Sequence, residues 1–440
     1  MATINQLSDA LLLRILSFLH AKDVVATMVL SKRWRFLWMS APKLIYDDSY
    51  HNIEYGRFSH LLMMVPKLVY DYQTIQYRRF SRFVDRSLFM NEAPIIETLH
   101  FKVGQICGSK DLRMWIRAAD KGCVRELVIE IDNKTPVTLP RSLYSSCRML
   151  VTLKLRNAVL VDDTNPISFP SLKKLSLESM KYPCDEFANR ILSSCPILED
   201  LVVEQCPDDN VAILSIRIPS LKHLFLHKSD LIVKEDTHGF VIDAPCLECL
   251  DIVDYSHGFR IIENNMCKIG KANVDISHPH TEQLLGSLTS AKRLFLCLPT
   301  SKDAYPVGSL FSSLAYLKLC TCETEWLNIL ICVLRDSPNL RALELSQYHP
   351  LRTEEPRPCW NEPSSVPECI LYSLESFKWV NYQGTKEEKE LVGFIFRNGT
   401  CLKKATIISP NSMDGDKKLE MLTELSLSSR RSPICQLEFS

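Results

Sequence analysis

One short pattern, apolar-x-x-apolar-x-apolar, recurs along most of the chain. It reads Ile96/Leu99/Phe101, Val124/Leu127/Ile129, Leu150/Leu153/Leu155, Leu172/Leu175/Leu177, Leu198/Leu201/Val203, Leu221/Leu224/Leu226 and Leu247/Leu250/Ile252. It continues through Ala291/Leu294/Leu296, Leu314/Leu317/Leu319, Leu340/Leu343/Leu345, Leu374/Phe377/Trp379 and Leu402/Ala405/Ile407, twelve copies in all. An apolar residue at every second position predicts a short strand with one buried face. Successive first positions lie 28, 26, 22, 26, 23, 26, 44, 23, 26, 34 and 28 residues apart. The 44-residue interval spans nearly two units and predicts a degenerate copy, with Val274 and Ile276 in its last two apolar positions. Proline stands two residues before the first apolar position in six copies, Pro94, Pro170, Pro196, Pro219, Pro245 and Pro338, where a missing N–H is tolerated as the chain enters a strand.

The period is close to the about 20–29 residues of leucine-rich repeats, and Cys206 and Cys322 fall on the Asn/Cys position of that signature. One such unit cannot bury its own apolar face. The expected fold is therefore α/β: a solenoid whose units stack their strands into one curved parallel sheet. The residues between the inward leucines then face the concave side: Asp200/Val202/Glu204, His223/Phe225/His227, Cys249/Asp251/Val253, Arg293/Phe295/Cys297 and Tyr316/Lys318/Cys320. Phe225, Phe295 and Tyr316, flanked by His223, His227 and Arg293, have the composition of an interface and are the candidate target-binding patch.

Both ends depart from this period. Residues 4–41 carry apolar positions at helical spacing, with Leu11, Leu12, Ile15, Leu16 and Leu19 in one stripe and Ser8 or Asp9 as N-cap. Asp23 would cap a second helix and Ser31 a third that carries Trp34, Leu37 and Trp38. Trp34 and Trp38, with Leu7, Leu16 and Leu19, are more apolar surface than so short a bundle is expected to hide, which favours a docking face. Near the other end, Thr385 and Glu388 form a capping box that opens a helix closed by Asn398-Gly399. A strand-helix-strand over 377–407 and a second helix near 415–428 make a terminal α/β cap. Pro42–Asp47 recurs as Pro66–Asp71 at an offset of 24 residues, which suggests a duplicated strand. The expected layout is a helical bundle at 1–45, a linker and first irregular repeat at 46–93, a solenoid at 94–365 and a cap at 366–440.

Composition agrees with repetitive leucine packing: 61 Leu against 13 Gly in 440 residues. The 52 basic and 52 acidic side chains cancel, so no global field steers nucleic acid or an anionic membrane surface toward the chain. No segment is apolar for long enough to span a bilayer, and no apolar leader follows Met1, so a soluble intracellular protein, nuclear or cytoplasmic, with reduced thiols is expected.

The N-terminal residues resemble a plant F-box: Ile4–Leu19, then Lys22-Asp23-Val24-Val25-Ala26-Thr27, then Leu30-Ser31-Lys32-Arg33-Trp34-Arg35-Phe36-Leu37-Trp38. Together with Cys195-Pro-Ile-Leu-Glu199 and the 366–440 segment, the chain is similar to the F-box, leucine-rich-repeat and FBD family of plants. That resemblance implies the substrate-recognition subunit of a Skp–cullin–F-box ubiquitin ligase, non-catalytic and without a cofactor. A Skp-family adaptor, and through it a cullin, would be the partners, with an unknown protein as target. The implied docking residues are Leu7, Ser8, Leu12, Ile15, Leu16, Leu19, Val24, Val25, Leu30, Trp34, Leu37 and Trp38. The family usually has Leu-Pro where this chain has Leu7-Ser8, and Ser where Met28 stands, so weakened docking is expected. The stretch 49–79 is also longer than the family's usual bridge.

Other chemistry is sparsely represented. Lys32, Arg33 and Arg35 read as a solvated face. Cys246 and Cys249 with His278 and His280 lack a further thiol pair, and Cys320 and Cys322 should point to alternate faces of a strand, so no metal site is expected. No His-Glu-x-x-His, Gly-x-Ser-x-Gly or Walker motif occurs. The alternatives to an adaptor are a cysteine-dependent enzyme on a solenoid scaffold, with its Cys–His pair assembled in space, and a ligase-independent interaction scaffold.

Overall fold

In the computed structural model, the apolar positions of the repeat become the buried residues of parallel strands. The structure describes residues 4–48, 66–104, 106–121, 123–132, 136–162, 166–205, 210–228, 239–255, 258–263, 266–277, 281–298, 305, 308–323, 326–349 and 360–439. Cys206, His278, His280 and residues 49–65 of the long bridge lie outside these. The chain divides into two compact units, Met1–Leu214 and Ser215–Ser440.

In the first unit, Ser8 caps helix α1 (Asp9–Leu16) by accepting the Leu11 N–H at 3.4 Å. Helix α2 (Ala21–Ala26) starts earlier than expected. Its N-cap is His20, and Asp23 lies inside the first turn, so Asp23 is not the cap. Helix α3 (Trp34–Leu37) is a single turn with no side-chain cap, so Ser31 does not cap it either. Strand β1 (Lys43–Asp47) follows and pairs in parallel with β2 (Thr98–Val103), which continues into β3 (Glu126–Ile131), β4 (Thr152–Arg156), β5 (Lys174–Glu178) and β6 (Asp200–Gln205). Register places Leu over Leu at the first inward position of each strand, as in Leu127↔Leu153 and Leu153↔Leu175.

The suggested strand duplication does not hold: Pro66–Asp71 opens a helix running Pro66–Met90. That helix packs through aromatic side chains. Tyr46 stacks on Phe101 with centroids 5.5 Å apart, Phe101 stacks on Trp115 at 5.1 Å, and Phe80 meets Trp115 edge-on at 6.1 Å. Trp115 Nε1 donates to Asp85 at 2.8 Å and Tyr46 shares a 2.8 Å hydrogen bond with Ser87, so both buried polar tips are satisfied.

In the second unit, nine strands run parallel in sequence order: β7 (His223–Lys228), β8 (Cys249–Asp254), β9 (Lys271–Ile276), β10 (Arg293–Cys297), β11 (Tyr316–Cys320), β12 (Ala342–Ser346), β13 (Ser376–Val380), β14 (Lys404–Ile408) and β15 (Gln436–Phe439). The degenerate copy exists as β9, shifted from the expected register. Leu250 pairs with Ala272 and Ile252 with Val274, so Ala272 and Val274 hold the last two repeat positions and Ile276 lies one step beyond. Alanine at a leucine position displaced the expected register by one step. The capping box is present: Thr385 accepts the Glu388 N–H and Glu388 accepts the Thr385 N–H at 3.1 Å, opening Lys386–Asn398. The second terminal helix is Gly415–Leu427. Behind the sheet, Arg260 and Asp254 form a buried ion pair at 2.5 Å, with side chains 1% and 2% exposed.

Candidate functional site

An α-helix turns about 100° per residue, so Leu11 and Leu12 cannot share one face. The expected stripe of α1 divides accordingly. Leu12 and Leu16 are fully buried, whereas Leu11, Ile15 and Phe18 are exposed. Val24, Trp34, Leu37 and Trp38 are buried as well, with Trp34 only 2% and Trp38 6% exposed. The expectation that the tryptophans could not be hidden is corrected. They form the bundle's own core, helped by Ala41 and Leu44 at the start of the sheet. Leu7, Leu19 and Val25 are half-buried and Ser8 is at the surface. The surface apolar residues are Leu11, Ile15, Phe18, Met28, Val29, Leu30 and Phe36, with Phe18 at 78% and Val29 at 82%. Only Ile15 and Leu30 of these coincide with the expected docking residues. Arg33 is no bystander: its Nε donates to Asp9 Oδ1 at 2.8 Å and its Nη2 to the Leu7 carbonyl at 2.7 Å, tying α3 to the start of α1.

Beside this bundle a cleft of about 380 Å³ opens between α2, β1 and the Pro66–Met90 helix, lined by His20, Asp23, Tyr46, Gln76, Arg79 and Phe83.

On the second unit's sheet, register splits the expected six-residue patch in two. β8 and β9 lie between β7 and β10, so Asp251 and Asn273 separate Phe225 from Phe295, at about 14 Å for three strand steps. Asn273 donates to Asp251 at 2.9 Å, filling the gap with a polar pair. Phe225 and His227 meet edge-on at 6.1 Å, with His223 exposed beside them.

The other half is denser and includes residues that the repeat pattern did not single out. Arg293 lies over the Tyr316 ring at 4.8 Å, and Phe295 and Tyr316 pack at 5.6 Å. Lys271 and Lys318 reach the Phe295 ring at 5.6 and 5.9 Å, and Lys318 also covers Tyr348 at 4.4 Å. Glu344 on β12 anchors the group: it accepts from the Tyr316 hydroxyl at 2.9 Å, pairs with Lys318 at 2.9 Å and lies 3.5 Å from Lys378. Burial and the hydrogen bond to Glu344 push the Tyr316 hydroxyl up to about 12. Burial opposes ionisation of Glu344, but its bonds to Lys318 and Tyr316 and the charge of Lys378 outweigh it and hold the carboxyl below its ordinary value.

The thiols also depart from expectation. Cys320 and Cys322 do not point to opposite faces: positions two apart along an extended chain share one side, and Cys322, just past the end of β11, lies 3.5 Å from Cys297 Sγ. Cys297, Cys320 and Cys322 are all buried and lie within 4.8 Å of one another. Cys246 and Cys249 belong to no such group among the described residues. Burial pushes Cys107 and Cys369 up to about 12 and Cys195 to about 11, whereas within the thiol cluster the bonds to Cys320 and Cys322 raise Cys297 ahead of burial and those to Cys297 and Cys322 pull Cys320 down. Cys320 is 4% exposed, so this thiol is closed to bulky substrates.

An N-terminal helical bundle, parallel strands with leucine in register and an α/β C-terminal segment define a leucine-rich-repeat protein. Family models agree: the F-box domain matches residues 4–46, the leucine-rich repeats of FBD-associated F-box protein At5g56370 match 112–274, and FBD matches 362–407. The chain is 59% identical over 444 residues to the probable FBD-associated F-box protein At1g32375 of Arabidopsis thaliana, covering all of both chains. It is 58% identical to the putative FBD-associated F-box protein At5g56390 of the same plant, over 100% of this chain and 99% of the relative. The F-box/FBD/LRR-repeat protein At5g56420 of Arabidopsis thaliana is 44% identical over 99% of this chain and 98% of its own. The chain belongs to the FBD-associated F-box protein family.

Proposed function

We propose that this chain is the target-binding subunit of a Skp–cullin–F-box ubiquitin ligase, acting in the nucleus or cytoplasm. Its bundle docks on a Skp-family adaptor, and the open face of the second unit's sheet binds the protein to be modified. The observation that carries this reading is the apolar surface formed by Leu11, Ile15, Phe18, Met28, Val29, Leu30 and Phe36, left uncovered on a bundle whose core is already filled. The chain contributes no bond chemistry in this role. It raises the concentration of target lysines beside the transferring enzyme.

On the target side, the Arg293/Phe295/Tyr316 cluster with Lys271 and Lys318 supplies rigid aromatic anchors under cations, the composition of binding hot spots. His223, Phe225 and His227 would form a second, separate contact.

Co-purification of the full chain from plant extract tests the adaptor half. A Skp-family protein and a cullin are retained by the wild type and lost from Phe18→Asp with Val29→Asp. Failure of the wild type to retain them, or retention by that variant, overturns the docking and leaves a ligase-independent scaffold. Ser8→Pro with Met28→Ser is expected to tighten retention. For the target half, proteins that accumulate on proteasome inhibition should stay bound to the wild type and leave Phe295→Ala with Tyr316→Ala.

A further inference from the structure

At the carboxyl ends of three neighbouring strands, register aligns Asp275 of β9 with Cys297 of β10, and Cys320 closes β11. The turn after β11 adds Cys322, and the turn after β12 adds Tyr348 and His349. We propose that Cys297, Cys320 and Cys322 bind a thiophilic divalent ion of the zinc class, with His349 as the fourth ligand. The proposal stands independently of the ligase reading.

The geometry suits that ion. Tetrahedral coordination with zinc–sulfur bonds near 2.3 Å places two thiolates about 3.8 Å apart. Cys297 and Cys322 sulfurs are 3.5 Å apart, and all three sulfurs lie within 4.8 Å of one another, so small rotations close the set. His349 stands in an adjoining group that shares Cys297, with the His349, Asp275 and Cys297 donor atoms within 4.8 Å of one another. Its Nε2 lies 2.8 Å from Asp275 Oδ2, which also accepts the Tyr255 hydroxyl at 3.0 Å. A carboxylate bonded to one ring nitrogen is what orients a metal-binding imidazole. The neighbouring Tyr348 N–H points at Cys320 Sγ from 3.5 Å, the second contact drawing this turn onto the thiols. Three sulfurs and an imidazole are a soft, nitrogen-and-sulfur donor set, which selects zinc over magnesium or calcium. Hydrocarbon side chains of equal size would fill the space as well as three thiols do, but they would not gather around one point beside a carboxylate-held histidine.

Bound metal would fasten the Tyr348 turn to the ends of β10 and β11. Tyr348 lies against Lys318 there, so the ion would fix one rim of the Phe295–Tyr316 cluster.

The test uses the full chain, purified under reductant, freed of metal with chelator and titrated anaerobically with cobalt(II). The expected result is one stoichiometric transition with tetrahedral ligand-field bands and strong thiolate-to-cobalt charge transfer, bleached by zinc. Cys322→Ser and His349→Ala should each weaken or alter that spectrum, Asp275→Asn should weaken zinc about 10–100-fold, and Cys195→Ser, a buried thiol elsewhere, should change nothing. Circular dichroism establishes that each variant is folded. Where a variant fails to fold, the wild-type spectrum decides alone. No thiolate-to-cobalt band in the wild type overturns the proposal, as does a spectrum unaffected in folded Cys322→Ser. A Cys297–Cys322 disulfide recovered from cells alkylated at lysis would instead make the cluster a redox pair and also overturn it.

Discussion

Arg33 reaches across the bundle to Asp9, bonding its carboxylate and the neighbouring Leu7 carbonyl with one guanidinium. The pair is partly exposed, with side chains 36% and 64% accessible, so its electrostatic share is screened. Arg33→Ala is expected to cost about 1 kcal/mol of unfolding free energy. Arg35→Ala, whose side chain lies at the surface over Phe36, should stay within about 0.5 kcal/mol. Thermal denaturation of the two variants distinguishes them.

Folding and docking should separate within the bundle. Trp34→Ala removes a buried indole and is expected to cost about 3–5 kcal/mol. Val29→Asp, at a side chain 82% exposed, should leave the melting temperature nearly unchanged while abolishing adaptor retention. Circular dichroism melts read the first effect and co-purification reads the second.

The Asp254–Arg260 pair is buried on both sides. Asp254→Ala leaves a guanidinium without its counter-charge in the interior and should cost about 3–5 kcal/mol. Replacing both residues with leucine should recover most of that loss. Chemical denaturation of the single and double variants measures it, and equal losses in both would show that the charge is not the cause.

Glu344 gives acid sensitivity to the second unit. Its folded pKa is depressed below the ordinary 4.5, so the folded state holds this carboxyl ionised where the unfolded chain takes up a proton. The stabilisation is present above pH 4.5 and is lost as pH falls from there through the folded pKa. Glu344→Gln should therefore flatten the fall in stability below about pH 4.5 while lowering stability at neutral pH. Urea midpoints between pH 3 and 7 test the sign.

Thiol labelling at neutral pH should follow burial. Cys123, Cys184 and Cys267 are exposed and should label first, whereas Cys107 and Cys369, buried and raised to about 12, should wait for unfolding. Peptide mass spectrometry resolves the order. A single buried cysteine labelling ahead of the exposed three would revive the cysteine-dependent enzyme.

Strand existence was legible because leucine spacing repeats locally, and the Thr385–Glu388 box was legible because both partners lie within one helical turn. What failed needed knowledge of neighbours. Leu11 and Leu12 are equally apolar, yet only tertiary packing decides that Leu12 is core and Leu11 surface. Pro66–Asp71 nearly repeats a strand sequence, but its following residues extend the helical pattern to Met90 and context overrides six residues. The six patch residues divide into two groups because β9, expected in the 44-residue interval but not counted into the patch, sets Asn273 between Asp251 and Phe295. Cys320 and Cys322 were assigned to opposite faces although two residues apart is one full strand period, which puts both on one side with Cys297.

Only Ala41 and Pro42 separate the last turn of the bundle, Trp38–Ser40, from β1. The Met39 and Pro42 carbonyls accept the N–H groups of Glu92 and Glu97 at 2.8 and 2.7 Å, and Ala41 accepts Asn91 Nδ2 at 3.1 Å. The seam therefore carries the hydrogen bonds that a hinge would lack. For anyone exchanging F-boxes between relatives, a junction at residue 41 cuts through a bonded surface and discards its registry. A junction after Asp48, whose N–H is bonded to the Lys102 carbonyl, transfers bundle and first strand as one piece. Module swapping in this family is in that sense a question of where the sheet begins.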